Sequence, residues 1–396
     1  MEYSISDKLK TMKPSAIREI FKSLTDSRII AFAAGNPAPE SFPSAEFGLL
    51  ADKIFKNDAV KALQYGITEG YPPLRTFLTE RLFKKFGVDP EGNTTLVVTG
   101  GQQGIELTCK VMCNEGDTVI CENPSFIGAL NAFRSNGARL VGVDMDADGI
   151  NLEKLEAACR ENPRAKLLYL IPTFHNPAGI TTSYEKRLKI YDIAKRYGLI
   201  ILEDNPYGEL RFDGEEVPTI KSMDTDGIVV YCGSFSKVLS AGMRVGFVSA
   251  PDAIAQKIVV AKQVEDVHTN QFFQMLCHEY VTSYDLDAHI ATIRALYKQK
   301  SAIMIEALET YMPKEVSFTR PEGGLFLYCT LPDTIDLNEF VKRALSRFVA
   351  VVPGTAFDPE DTGVSHSFRL TYATPSPEQI VEGVKILGDL VKEMLA

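Results

Sequence analysis

From residue 94 the chain alternates between two hydrophobic patterns. Seven short runs are continuously apolar and rich in β-branched residues: TTLVVTG (94–100), DTVICEN (117–123), ARLVGVD (138–144), AKLLYLIPT (165–173), LIILEDN (199–205), IVVYCGS (228–234) and RVGFVSA (244–250). Between most of them lie segments long enough for helices, such as SYEKRLKIYDIAKRYG (183–198). In that segment Tyr184, Leu188 and Tyr191 mark one face, Ile190, Ile193 and Ala194 widen it, and Gly198 is a stop signal. Apolar runs without alternation predict strands covered on both faces, as in a mostly parallel α/β sheet. The expected architecture is therefore a large α/β domain built on a mostly parallel seven-stranded sheet.

After about residue 255 the pattern turns long and helical, and then a second composition begins. PEGGLFLYCT (321–330), FVAVVPGTAF (348–357) and SHSFRLTYA (365–373) read as strands, with helices around 337–347 and 377–395. This predicts a smaller α+β domain. The boundaries expected are an arm and small-domain segment at 1–44, a large domain at 45–285 and a small domain at 286–396. Within the arm, SAIREIFKSL (15–24) reads as a short helix, followed by the Gly- and Pro-rich GNPAPESFP (35–43).

Composition narrows the function classes. The 396 residues carry a formal net charge of −10, which argues against a nucleic-acid surface. The first ten residues have no apolar leader segment and no run is long enough to span a bilayer, so no membrane partner is expected. Seven scattered cysteines speak for reduced thiols in a cytoplasmic compartment. Cys109 and Cys113 lie four apart on a predicted helix but have no second pair to complete a metal site, so they read as core thiols and no metal is expected.

Ligands of parallel sheets gather beyond the carboxyl ends of the strands, and four of those ends carry unusual residues. After TTLVV comes Thr99-Gly100-Gly101-Gln102-Gln103-Gly104, either a tight turn or a glycine-opened helix start able to meet an anion. After AKLLYLIPT comes Phe174-His175-Asn176-Pro177-Ala178-Gly179, where Asn-Pro-x-Gly marks a turn. After LIILE stands Asp204, followed by Tyr207. A buried carboxylate needs a partner, which could be a helix cap or a cationic ring nitrogen. After IVVYCGSFS comes Lys237, and Gly242-Met243-Arg244-Val245-Gly246 follows. A lysine there is a candidate Schiff-base former once burial or nearby cations lower its pKa.

With these residues in this order, the chain from about residue 30 to its end resembles the fold-type I pyridoxal phosphate (PLP) enzymes, specifically the class I/II aminotransferases. SFSKVLSAGMRVG (234–246) matches that family's S-x-S-K-x(4)-G-x-R-x-G signature at every fixed position. Asn-Pro-x-Gly at 176–179, Asp204 with Tyr207, PEGGLF at 321–326 and Arg369 in FRLTYA follow in the family's order.

The resemblance implies a role for each. Lys237 holds PLP as an internal aldimine and, once freed by substrate, moves the proton between Cα and C4′. Asp204 pairs with the pyridinium nitrogen and keeps the ring an electron sink. Asn176 and Tyr207 hydrogen-bond the ring's O3′. Ser234, Ser236, Arg244 and the backbone of Gly101 and Gln102 cradle the phosphate. Phe126 stacks on the ring, where many relatives have tyrosine. Tyr65, in LQYGITEGYPPLR, reaches the phosphate of a neighbouring subunit's cofactor, which implies a homodimer with shared sites. Arg369 grips the substrate α-carboxylate through a bidentate fork, and Gly35 lets the backbone approach the same carboxylate. The segment 15–20 resembles the N-terminal helix of 2-aminoadipate aminotransferases and their kynurenine- and aromatic-active relatives, in which Arg18 would meet the side-chain carboxylate of acidic substrates.

The expected reaction transfers the amino group of an L-amino acid to a 2-oxoacid such as 2-oxoglutarate. The same Lys–Asp–Arg set also serves a C–S lyase acting on sulfur amino acids, and a non-catalytic PLP-binding sensor would retain the fold. Regulators with a fused DNA-binding domain share the family, but this chain leaves no room for one.

Overall fold

The computed structural model describes residues 26–396 together with residues 3, 4, 6 and 9. The predicted helix at 15–24, and Arg18 with it, lies outside the described residues.

All seven apolar runs form strands of one sheet. In chain order the strands of the protein begin with β1 (Ile30–Ala31), β2 (Asn93–Val98), β3 (Thr118–Asn123), β4 (Arg139–Asp146) and β5 (Gly149–Ile150). They continue with β6 (Ala165–Leu170), β7 (Ile200–Asp204), β8 (Val229–Ser234) and β9 (Gly246–Pro251). The large sheet runs β2-β9-β8-β7-β6-β3-β4-β5, with β8-β7-β6-β3-β4 parallel and β9 antiparallel to both its neighbours. An eighth strand, the two-residue β5, joins the seven predicted ones as a short antiparallel return beside β4.

Apolar residues cover both faces, which explains the unbroken runs. Ile120, Leu168, Ile201 and Val229 pack with Leu155 and Ile190 on one side, while Cys121, Tyr169, Leu202 and Val230 face Ile105 and Cys109 on the other. The helix Tyr184–Tyr197 starts at Ser183, whose side chain accepts the Lys186 N–H, and ends at Gly198 in the left-handed region (φ 66°). Its predicted face needs correcting, because Tyr184 and Leu188 are exposed (41% and 39%). The buried stripe is Lys186, Arg187, Ile190, Tyr191, Ile193 and Ala194. Apolarity alone mis-sets the stripe, because Arg187 is buried with its guanidinium satisfied by the carbonyls of Pro172, Thr182 and Pro218 and by the Thr173 hydroxyl.

The C-terminal region contributes β10 (Ser317–Phe318), β11 (Phe326–Thr330), β12 (Val349–Ala350), β13 (Val352–Pro353) and β14 (Ser367–Thr371). They form a four-stranded antiparallel sheet, β10-β11-β14-β13, while β12 pairs in parallel with β1 near the start of the chain. Helices Leu337–Ser346 and Pro377–Leu395 pack on this region, the latter opened by a Ser376–Gln379 capping box. The pairing of β1 with β12 brings residues 33–36 beside Arg369 on β14. The seven cysteines are free; Cys109 is buried and Cys113 half-buried.

Candidate active site

A cavity of about 350 Å³ lies beyond the carboxyl ends of β6, β7 and β8 and is closed by Phe326 and Arg369. Every sequence-predicted site residue among the described residues lines it except Tyr65: Gly35, Gly101, Gln102, Phe126, Asn176, Asp204, Tyr207, Ser234, Ser236, Lys237, Arg244 and Arg369.

One end is built to hold an anion. The helix Gly101–Met112 starts here after Gly100 (φ 76°); the Gln103 N–H bonds the Gly100 carbonyl at 3.1 Å, while the N–H groups of Gly101 and Gln102 have no acceptor within the helix. Ser234 Oγ lies 2.8 Å from Ser236 Oγ and accepts the Ser236 N–H at 3.0 Å. Arg244 donates to Ser236 Oγ at 3.4 Å and to the Ala241 carbonyl at 3.2 Å. The tight turn belongs to Arg244 itself, with φ at 55°, rather than to the glycines flanking it. Gly246 serves close approach, because a Cβ there would stand 2.7 Å from the backbone carbon of Gly100. Around Gly242 there is room, with the nearest atom at 3.8 Å.

Lys237 follows β8 and projects into the middle of the cavity. Its Nζ donates to the Gly35 carbonyl at 2.8 Å and stands 5.9 Å from the centre of the Tyr207 ring. Burial, reinforced by the positive charges of Arg369 and Arg244, lowers its pKa to about 8. Asp204 sits at the floor, 4% exposed, and accepts a 2.7 Å hydrogen bond from Tyr169 OH. Burial raises its pKa to about 7, against the opposing effect of the Tyr169 hydroxyl.

The far wall carries Arg369, 2% exposed. One guanidinium nitrogen donates to Asn176 Oδ1 at 2.8 Å and another to the Ala33 carbonyl at 2.9 Å. Its Nε has no hydrogen-bond partner, and no carboxylate among the described residues pairs with it. Burial pulls its pKa down to about 10, and the planar group lies 4.2 Å from the Phe326 ring. Asn176 in turn donates to Tyr207 OH at 3.4 Å, so one amide ties the arginine to the tyrosine.

Sequence reasoning missed Tyr169 and Phe326. Tyr169 pairs with Leu202, two residues before Asp204, and so shares a sheet face with that acid. A hydroxyl in an otherwise aliphatic strand, facing an acid on the next strand, was the available signal. Phe326 lay in a quoted motif, but nothing in its own spacing aimed it at the cavity. Tyr65 lies apart, 82% exposed, with its ring edge-on to His268 at 5.7 Å.

Comparison with known proteins agrees with this geometry. The family "Aminotransferase class I and II" matches residues 28–387. The aromatic-amino-acid aminotransferase 1 of Thermococcus litoralis is 39% identical over 99% of this chain and 95% of its own length. A Pyrococcus horikoshii kynurenine aminotransferase solved with PMP superposes with a TM-score of 0.95 at 38% identity, covering 99% of this chain and 98% of that one. The α-aminoadipate aminotransferase LysN of Thermus thermophilus, complexed with N-(5'-phosphopyridoxyl)-L-leucine, superposes at 0.90 with 39% identity over 99% and 98%. With an anion cradle, a buried lysine and a buried acid converging where these relatives align, the chain belongs to the class I and II aminotransferases, enzymes that transfer amino groups.

Proposed function

We propose that the cavity holds pyridoxal 5'-phosphate and that the protein moves the amino group of an L-amino acid (2-aminoadipate, glutamate or an aromatic residue) to a 2-oxoacid such as 2-oxoglutarate. The observation that carries this reading is a buried guanidinium, Arg369, with an orphaned Nε and no carboxylate of its own. An amino- or oxo-acid α-carboxylate supplies the missing counterion.

The residues present fit the cofactor. Asp204 is a buried acid with no cationic partner among the described residues, which suits a protonated ring nitrogen. The first turn of the helix Gly101–Met112, with Ser234, Ser236 and Arg244, suits a phosphate dianion. When bound, PLP supplies an electron sink for charge that develops at the substrate Cα. Lys237 anchors the cofactor and, with its lowered pKa, takes and returns the proton at that carbon. Asn176 and Tyr207 hold the ring oxygen, and Phe126 covers the ring face. Arg369 fixes the α-carboxylate, and Gly35 gives the backbone room beside it.

The working unit is a homodimer in which Tyr65 reaches the phosphate site of the partner. The support is a set of exposed apolar residues, Val60, Tyr65 and Ile67, lining a hollow of about 830 Å³. Arg18 meets the side-chain carboxylate of acidic donors, a role that rests on the likeness of residues 15–20. Seven free cysteines, six of them buried, support a reducing compartment such as the cytoplasm.

A panel of 2-aminoadipate, glutamate, kynurenine, aromatic and branched-chain donors tests the reading. Each donor other than glutamate is paired with 2-oxoglutarate and followed as glutamate formed; glutamate is paired with 2-oxoadipate. At least one acidic or aromatic donor is expected to turn over, with Arg18→Ala impairing acidic donors selectively. Release of ammonia and pyruvate from sulfur amino acids, with no transfer from any donor, would overturn it.

A further inference from the structure

The segment that carries Asn176 is held from beneath by a buried acid–base pair that the reaction itself does not use. Glu122, near the end of β3, and His175 are each 1% exposed, and His175 Nε2 stands 3.2 Å from Glu122 Oε2. The same carboxylate oxygen accepts the N–H of Ile171, where the chain leaves β6, at 2.8 Å. The other ring nitrogen of His175, Nδ1, accepts the N–H of Ala178 at 3.2 Å. His175 Nε2 has no hydrogen bond of good geometry, so it meets Glu122 as a close buried polar contact. The pair therefore pins the segment at Ile171, His175 and Ala178, on both sides of Asn176. Arg187 clamps the flanking carbonyls of Pro172 and Thr182 independently.

Burying a carboxylate beside an imidazole is a poor way to stabilise a fold, since apolar residues of similar volume usually serve as well or better. What the pair provides is direction. Asn176 Oδ1 receives Arg369 at 2.8 Å and its Nδ2 reaches Tyr207 OH at 3.4 Å, so a small rotation of the segment would misplace both contacts.

We propose that Glu122 and His175 are positioning residues that fix Asn176, and through it the guanidinium of Arg369 and the hydroxyl of Tyr207. The inference rests on the site reading above, in which those three residues meet cofactor and substrate. The test compares His175→Phe, His175→Gln, Asn176→Ala and the His175→Phe/Asn176→Ala double variant in the holoenzyme. Its readouts are steady-state kinetics, the pH midpoint of the bound cofactor's visible absorbance, and Tm.

His175→Phe is expected to raise the donor KM about tenfold and to move the absorbance midpoint in the same direction as Asn176→Ala. His175→Gln retains a donor for Glu122 and an acceptor for Ala178, and should restore both readouts to within about twofold of the native protein. The double variant should lie no lower than Asn176→Ala alone. A His175→Phe protein with native KM and midpoint, whatever its Tm, overturns the inference. Native values for Asn176→Ala would instead overturn the site reading on which it stands. Should His175→Phe fail to fold, Glu122→Leu removes the oxygen that meets both Ile171 and His175; a native midpoint there equally defeats the proposal.

Discussion

Arg369 and Asp204 are the two residues whose surroundings say most about what is to be bound. Arg369→Lys keeps the charge but loses the planar fork. The donor KM should rise about 10- to 100-fold, the size of one charge-assisted hydrogen bond, while kcat falls less. Asp204 makes a prediction about pH. In the cofactor-free protein its pKa is raised to about 7 from an ordinary value of 3.8, so the native state binds the extra proton between those values and is stabilised as pH falls. Asp204→Asn removes that sensitivity. Thermal unfolding of the cofactor-free variant should therefore show a gain over the native protein that grows from pH 4 to pH 8, up to about 4 kcal/mol. A gain independent of pH would contradict it. At this scale the sequence was legible where a residue sits at a strand end, as Lys237, Asp204 and Asn176 do. It was silent on Tyr169, Glu122 and His175, whose partners lie on other strands or loops and become neighbours only through the sheet's register.

Among the elements, the joint between β2 and β9 matters most. Val98 pairs with Gly246, so the Gly100–Gly101 turn packs directly on the start of β9 and sets the anion cradle against Arg244. Gly246→Ala would force backbone apart at that joint and should weaken cofactor retention about tenfold or more. Gly242→Ala has open space and an ordinary φ, and should retain cofactor as the native protein does. Equilibrium dialysis of PLP separates the two cases, and equal losses would show that the joint is not the cause. The strands themselves were legible because continuous β-branched runs have few alternatives in a chain so regularly punctuated by helices. The face of Tyr184–Tyr197 was not, since an arginine satisfied by four oxygens reads from sequence as a surface residue. The two-residue strands β1, β5 and β10 left no periodic signal at all.

For the whole molecule, the exposed Tyr65 separates shared from self-contained sites. If Tyr65 serves the partner's cavity, Lys237→Ala and Tyr65→Ala chains refolded together should regain about a quarter of native activity, because each mixed dimer contains one intact site. Self-contained sites would regain none. The change of pattern after the long helices marked the strands of a second sheet, β10-β11-β14-β13, and a small-domain segment was expected within residues 1–44, but the pairing of 30–31 with 349–350, a contact across most of the chain, left no local signal. In the proposed function Lys237 moves the proton at the substrate Cα while an amino group passes from one carbon skeleton to another. This central claim is tested most directly with an amino donor carrying a heavy-nitrogen label, supplied with an unlabelled 2-oxoacid and followed by mass spectrometry. The label should appear in the amino acid formed from the oxoacid, not in ammonia, and Lys237→Ala should abolish the transfer. Label released as ammonia, or undiminished transfer by Lys237→Ala, would contradict the account.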